Sequence, residues 1–305
     1  MGLGVREERS LIPVTYCLAL WVDEGIVFAA DTRTNAGVDY VTSYRKLHVF
    51  RPSEDRVFVL LAAGSLATTR ELIDQIGRDL GEVPNSPNGE SLLSARYVFE
   101  AASYVGRLSR QIQEKHGPAL ARTGTSGDVS LILGGQIAGA QPELLMIYPQ
   151  GNYIGASEET PYLQIGEAKY GKPILDRLAK RSHSLPEAAR LALVSLDATV
   201  RSNVTVGAPF DFALYRGGSL QLPESVRIGQ DSPYYQRTRD FWQAGISEMF
   251  GRLEPFPIGT AAEAPKPAQG AAPPPAPSPA PPQAPPGAAA AAVPAPAAPA
   301  GNGSG

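Results

Sequence analysis

The chain has 305 residues and a formal net charge of −3, with 27 basic and 30 acidic residues interspersed along it. That balance, together with the lack of any run of about 18 apolar residues, argues against nucleic-acid and membrane partners. Cys17 is the only cysteine, so an internal disulfide is excluded and a cytoplasmic setting is favoured.

Composition divides the chain into three parts. Residues 1–14 lack the apolar centre of a signal peptide, and we interpret them as a leader or a mis-annotated start. Residues 15–258 are long enough for one well-buried domain. Residues 259–305 are rich in Ala, Pro and Gly, with charges only at Glu263 and Lys266. Such a segment buries too little apolar surface to offset its ordering entropy, so it is predicted to be a disordered tail.

The first half of the domain is predicted to place strands before helices. Four β-rich stretches pair as two hairpins, and they cover residues 15–22, 26–31, 45–50 and 56–63. Two helical patterns follow at residues 66–80 and 91–116, and Gly117-Pro118 is predicted to end the second helix.

The second half repeats this order. Strands are predicted at residues 129–133, 143–148 and 162–165, and helices at residues 172–181 and 185–200. The second of these helices starts at Ser184-Leu185-Pro186-Glu187, which is typical of a capped helix. Strands at residues 210–215 and 219–222 flank an Arg216-Gly217-Gly218 turn, and a last helix covers residues 234–250.

Helices grouped in pairs cannot be crossovers between successive parallel strands. Two antiparallel sheets packed face to face, with a helix pair outside each sheet, account for the order. The sequence therefore predicts an α+β fold of four layers, αββα.

The common catalytic patterns are not found in the sequence. His48, His116 and His183 fit neither a nucleophile-elbow nor a metal-ligand pattern, and no glycine pair matches a phosphate loop. Cys17 lies within the first strand and is interpreted as a small buried apolar residue. We therefore expect no cofactor and no metal site.

Three residues at the start of the fold form a candidate catalytic set. Thr15 opens the first strand, Asp31 closes the second and Lys46 opens the third. The start of one hairpin strand and the end of the next are neighbours, and a third strand beginning nearby brings its lysine beside both. Each residue alone has an ordinary structural explanation, and only their joint spacing supports this interpretation.

These three residue types suit one another chemically. A threonine hydroxyl needs a base, and a free α-amino group on the same residue is close enough and titrates near neutrality. A nearby lysine cation lowers the pKa of both groups, and an aspartate holds the ammonium in place. The backbone N–H of Gly64, on a strand-to-helix turn, is suited to stabilise an oxyanion.

At these residues the sequence resembles the proteasome β-subunit family of N-terminal-nucleophile hydrolases, specifically the bacterial branch called Anbu (ancestral β-subunit). The resemblance covers about residues 14–250. Its most specific motif is Asp31-Thr32-Arg33-Thr34-Asn35-Ala36-Gly37-Val38-Asp39. Further matches are Tyr44-Arg45-Lys46, Ala62-Ala63-Gly64-Ser65 and Gly166-Glu167-Ala168-Lys169-Tyr170-Gly171-Lys172-Pro173.

The resemblance implies a threonine peptidase that acts on peptides or unfolded proteins, with Thr15, Asp31, Lys46 and the oxyanion donor Gly64. It also implies assembly of identical subunits into a ring or open-ring particle, and it identifies no unfoldase partner. Arg33 is expected to brace the aspartate. In related subunits two further side chains assist the nucleophile. Their counterparts here are expected near Asn152 and in the stretch that begins at Ser202.

Activity depends on a free Thr15 amine, which residues 1–14 block as the sequence is written. One hypothesis is that Val14 is the true initiator, encoded by GTG and removed before Thr15. Two other functions stay open: a catalytically silent self-assembling scaffold subunit, and an amidase that acts on small amides.

Overall fold

The computed structural model describes residues 15–35, 41–81 and 89–258. The predictions for the leader, for the Ala36-Gly37-Val38-Asp39 part of the motif and for the tail lie outside these residues. Contacts group the chain into a unit that ends at Leu253 and a second unit that begins at Glu254.

The described residues contain strands in three groups separated by helix pairs. The strands are β1 (Tyr16–Val22), β2 (Gly25–Asp31), β3 (Arg33–Asn35), β4 (Val41–Ser43), β5 (Leu47–Ser53), β6 (Arg56–Gly64), β7 (Val129–Ile137), β8 (Glu143–Ile147), β9 (Tyr153–Gly155), β10 (Tyr162–Gly166), β11 (Phe210–Arg216) and β12 (Glu224–Ile228). The helices are α1 (Leu66–Gly81), α2 (Val98–Ala121), α3 (Ala168–Leu178), α4 (Leu185–Ser202) and α5 (Pro233–Gly251).

Two five-stranded antiparallel sheets form the centre of the fold. The first sheet has the order β10-β1-β2-β11-β12 and the second β5-β6-β7-β8-β9, while β3 and β4 form a separate hairpin. In the β1–β2 hairpin Cys17 lies opposite Ala30, and Val22 opposite Gly25 at the turn. This register places the start of β1 beside the end of β2.

Three buried clusters explain the layers. Between the sheets, Cys17 and Phe28 of the first sheet pack with Leu61 and Ile132 of the second. Outside the second sheet, helices α1 and α2 cover its other face, and α3 and α4 cover the outer face of the first sheet. The predicted αββα arrangement is thereby confirmed.

Helix α2 begins later and ends later than the sequence predicts. Residues 91–94 form a turn instead, in which Ser91 Oγ accepts from the backbone N–H groups of Leu93 and Ser94 at 3.2 Å. Arg56 Nη1 donates a hydrogen bond to the Ala95 carbonyl at 2.6 Å. At the other end, Pro118 lies inside the last turn, and the helix continues to Ala121.

The predicted strand at residues 219–222 is wrong. Ser219 Oγ donates to the Arg216 carbonyl at 2.7 Å, and Leu220 has a φ of 51°, so this segment turns away from the sheet. The strand that pairs with β11 is β12, at Glu224–Ile228. Its side chains are largely exposed, so it lacks the apolar pattern by which strands are found in a sequence.

Within the described residues, no helix is both long enough and apolar enough to cross a bilayer.

Candidate active site

The start of β1 and the end of β2 meet at a buried carboxylate. The Tyr16 backbone N–H donates to Asp31 Oδ1 at 3.0 Å, and the Asp31 side chain is fully buried. Thr15 directly precedes Tyr16 and is 6% exposed. The hairpin register therefore brings Asp31 to the peptide group that joins Thr15 to β1.

Lys46 reaches the same carboxylate oxygen from the second sheet. It directly precedes β5, and its Nζ donates to Asp31 Oδ1 at 2.7 Å and to the Arg33 carbonyl at 2.7 Å. The Lys46 side chain is only 2% exposed, so both members of the ion pair are withdrawn from water. The structure thus brings Asp31 and Lys46 into contact beside Thr15.

Opposing effects act on the Asp31 carboxyl. Burial raises its pKa above the ordinary value, because water no longer solvates the charged form. The Lys46 ammonium and the backbone N–H groups of Tyr16 and Gly207 favour the charged form, the last at 3.3 Å from Oδ2. These contacts stabilise the charged form of Asp31 at a position that solvent does not reach.

The end of β10 fixes the other side of Thr15. The Glu167 N–H donates to the Thr15 carbonyl at 2.7 Å. Gly166, the last residue of β10, has a φ of 82°, and a Cβ placed there would lie 1.8 Å from the Thr15 carbonyl oxygen. Only glycine at position 166 therefore allows this segment and the segment at Thr15 to approach each other so closely.

The Glu167 side chain is held by the loop that follows α4. Its Oε2 accepts from Asn203 Nδ2 at 2.9 Å, and Asn203 Oδ1 in turn accepts from Thr205 Oγ1 at 2.6 Å. Ser202 ends α4 with an exposed side chain. Asn152 lies in an exposed turn between β8 and β9, where the neighbouring Gly151 approaches Gly106 of α2.

Arg33 braces the same loop. Its Nη1 donates to the Val204 carbonyl at 2.9 Å, and a Cβ on Gly207 would lie 2.5 Å from its guanidinium carbon. The bare Gly207 backbone can therefore approach both Arg33 and Asp31. Arg33 lies where it can support the position of Asp31 through this loop.

Gly64 closes β6 at the same end of the molecule. Its φ is 124°, and a Cβ there would lie 2.2 Å from the Asp128 carbonyl oxygen, so a side chain is not accommodated. Two residues earlier, Ala62 contacts both neighbouring parts of the site: its N–H donates to the Lys46 carbonyl and its carbonyl accepts from Cys17 Sγ. The strand thus directs Gly64 toward the end where Thr15 lies.

Other reactive side chains lie outside this set. Burial raises the pKa of the Cys17 thiol, so the group stays protonated within the inter-sheet core. Among residues 15–35, 41–81 and 89–258, no cluster of three or more His, Cys, Asp or Glu side chains could hold a metal ion.

The sequence does not predict Glu167 and Gly207 as parts of the site, and it indicates Asn203 only as a member of the stretch from Ser202 in which an assisting position is expected. Glu167 belongs to a motif that the sequence does show, Gly166-Glu167-Ala168, but nothing in the sequence relates that motif to Thr15. Asn203 and Gly207 lie in a loop without periodicity. Their contacts with Glu167 and Asp31 depend on chain segments about 36 and 176 residues away.

Comparisons with known proteins agree on one family. A family model described as "Proteasome subunit" matches residues 15–214. A comparison with curated proteins found no significant match.

Solved structures that resemble the chain share a description. A Gly-1 mutant of Anbu from Hyphomicrobium sp. strain MC1 is 40% identical, with a TM-score of 0.72, over 80% of this chain and 100% of that chain. Anbu (ancestral beta-subunit) from Yersinia bercovieri is 38% identical with a TM-score of 0.73 over the same shares. A helical assembly of the Anbu complex from Pseudomonas aeruginosa is 42% identical with a TM-score of 0.74, over 80% of this chain and 99% of that chain.

Proposed function

Because this chain belongs to the Anbu branch of the proteasome subunit family, we propose that it is a threonine-type endopeptidase with Thr15 as its nucleophile. One observation carries the proposal: the buried Asp31 carboxylate binds both the Tyr16 N–H and the Lys46 ammonium, directly beside Thr15. A buried ion pair stabilises a fold weakly, so its position at the first strand suggests a chemical role.

The proposed reaction begins with the Thr15 hydroxyl. Its proton passes to the α-amine of the same residue, and Oγ forms a bond with the carbonyl carbon of the substrate peptide. The positive charge of Lys46 lowers the pKa of the hydroxyl and of the amine, and Asp31 holds that ammonium in place. The Gly64 N–H donates to the oxyanion of the tetrahedral intermediate.

Collapse of the intermediate breaks the C–N bond of the substrate. The leaving amine takes the proton from the Thr15 ammonium, and an ester between the substrate acyl group and Oγ remains. A water molecule then attacks this ester, gives one proton to the α-amine and releases the acid. The proton returns to Oγ, so the residue is regenerated.

We also propose that identical copies of the chain assemble. A relative that is 42% identical forms a helical assembly. In this chain α5 exposes large apolar side chains, among them Phe241 at 83%, Met249 at 64% and Phe250 at 75%. Large apolar side chains exposed along one helix favour contact with another subunit. A cytoplasmic setting remains a prediction from the single cysteine.

Labelling with a threonine-directed electrophile tests the proposed nucleophile. The protein is treated with a peptide epoxyketone or β-lactone, and the adduct is located by mass spectrometry. We expect one adduct, on Thr15, together with peptide hydrolysis that Thr15→Ala abolishes and Thr15→Ser partly keeps.

Intact-mass measurement of the same native sample shows whether Thr15 is the first residue. A free Thr15 with neither adduct nor hydrolysis would contradict the enzyme proposal and favour a silent scaffold. Turnover of small amides without turnover of any peptide from a library would instead favour an amidase.

A further inference from the structure

Glu167 lies directly opposite the proposed nucleophile. The register of β1 and β10 pairs Tyr16 with Gly166 and Cys17 with Ile165, so the next position pairs Thr15 with Glu167. The hydrogen bond from the Glu167 N–H to the Thr15 carbonyl, 2.7 Å long, confirms that pairing. This bond holds the backbone of Glu167 directly beside that of Thr15, so the Glu167 side chain extends from a position next to the proposed nucleophile.

The Glu167 carboxylate is oriented but not neutralised. Asn203 Nδ2 holds its Oε2 at 2.9 Å, and an amide group brings no charge. Its cationic contact is Lys169 Nζ, 3.4 Å from Oε1 on a side chain that is 68% exposed. A surface pair of this kind is weak, so the carboxylate keeps most of its electrostatic effect on its other neighbours. The Glu167 side chain is itself 13% exposed, so it is largely withdrawn from solvent.

The other charged groups around Thr15 are engaged elsewhere. Asp31 is bound by Lys46 and by two backbone N–H groups, and Lys46 also binds the Arg33 carbonyl. Arg33 donates to the Val204 carbonyl. Lys46 and Arg33 are cations, which disfavour a second positive charge nearby. A protonated amine on Thr15 thus needs a carboxylate that no buried cation already balances.

We propose that Glu167 is a positioning residue that holds and stabilises the α-ammonium of Thr15 each time the amine takes a proton during the reaction. The carboxylate offsets the repulsion by Lys46, so the amine stays basic enough to remove the hydroxyl proton. Asn203 fixes the orientation of the carboxylate. This inference depends on the proposed function only in requiring that Thr15 has a free amine.

A titration of the Thr15 amine tests the inference without relying on turnover. The chain that begins at Thr15 is labelled by reductive methylation with 13C-formaldehyde, and the α-amine is titrated by NMR. In Glu167→Gln we expect its pKa to fall by about one unit, since a nearby carboxylate is lost. The acid limb of kcat/KM should move to lower pH by the same amount.

Glu159→Gln is the matched control, because Glu159 is exposed and precedes the opposite end of β10. It should leave the amine pKa and the pH profile unchanged. In Asn203→Ala we expect a smaller fall of the amine pKa, about half a unit, because the carboxylate is no longer oriented.

The outcomes separate the two proposals. An amine pKa in Glu167→Gln equal to that of the parent overturns the role of Glu167, whether or not peptides are cleaved. A lowered pKa in protein that cleaves no peptide supports the role of Glu167 and counts against the endopeptidase. Should Glu167→Gln fail to fold by circular dichroism, an unchanged pKa in Asn203→Ala overturns the inference in its place.

Discussion

Lys46 Nζ lies 2.7 Å from Asp31 Oδ1, and both side chains are almost completely buried. The pair joins the two sheets, since Asp31 ends β2 in the first and Lys46 leads into β5 in the second. Removing one member leaves a buried charge without a partner, which is far more costly than removing both.

Lys46→Met is therefore expected to destabilise the fold by about 3–5 kcal/mol, measured by denaturant unfolding. Asp31→Asn should have an effect of similar size. The double variant should lose less than the sum of the two single losses, because neither charge is then left alone. Additive losses would show that the two side chains do not interact in solution.

Gly166→Ala is expected to reduce stability and activity together. Its Cβ would lie 1.8 Å from the Thr15 carbonyl oxygen, so the Thr15–Glu167 pairing must open. Gly139→Ala is a close control, because Gly139 has the same φ of 82° and nothing within 4 Å of the added atom.

Backbone strain alone should cost Gly139→Ala about 1–2 kcal/mol and leave peptide hydrolysis intact. Gly166→Ala should lose more stability than this and at least about a hundredfold in kcat/KM, given the displaced nucleophile. Equal effects of the two variants in thermal unfolding and in turnover would contradict the close approach at Thr15.

His48 predicts a pH dependence of stability. Burial lowers its pKa from the ordinary 6.5 to about 4, Arg45 and Arg70 add to this effect, and its Nε2 has no hydrogen-bond partner among the described residues. The unfolded chain takes up a proton below pH 6.5, whereas the folded chain does so only near pH 4. The contribution of neutral His48 to stability is therefore complete above pH 6.5 and is lost as the pH falls to 4.

We expect a loss of about 2–3 kcal/mol across that range from this side chain. His48→Leu should flatten the fall, and urea unfolding at intervals between pH 4 and pH 7 measures it. A slope identical in parent and variant would assign the pH dependence to other groups.

Phe241 tests the proposed assembly. The side chain is 83% exposed on α5, so Phe241→Glu should leave the folded subunit intact by circular dichroism. If α5 packs against another copy, the added charge should shift the mass measured by light scattering to smaller species. Gln236→Glu places the same charge at another exposed position of α5 and serves as the control. An unchanged mass in Phe241→Glu would show that this part of α5 does not lie in the interface between copies.

The order of layers could be predicted because each element carries its own periodicity. Strands such as β1 and β6 and the helix α4, with its Ser184 cap, follow from local patterns that do not depend on distant parts of the chain. Where another part of the molecule takes up the backbone groups, local patterns fail. Residues 91–94 have a helical pattern, but Arg56 donates to the carbonyls of Leu92 and Leu93. The exposed strand β12 has no apolar pattern by which it could be predicted.

The sequence by itself determined the four layers and the joint spacing of Thr15, Asp31 and Lys46, because hairpin geometry relates residues that are near in the chain. Only the tertiary structure decided what surrounds them: Glu167 opposite Thr15, Asn203 behind Glu167, and Gly207 on Asp31. Those contacts join the ends of strands and a loop that are far apart in the chain. Their pairing is fixed by the packing of whole sheets, which no local pattern encodes.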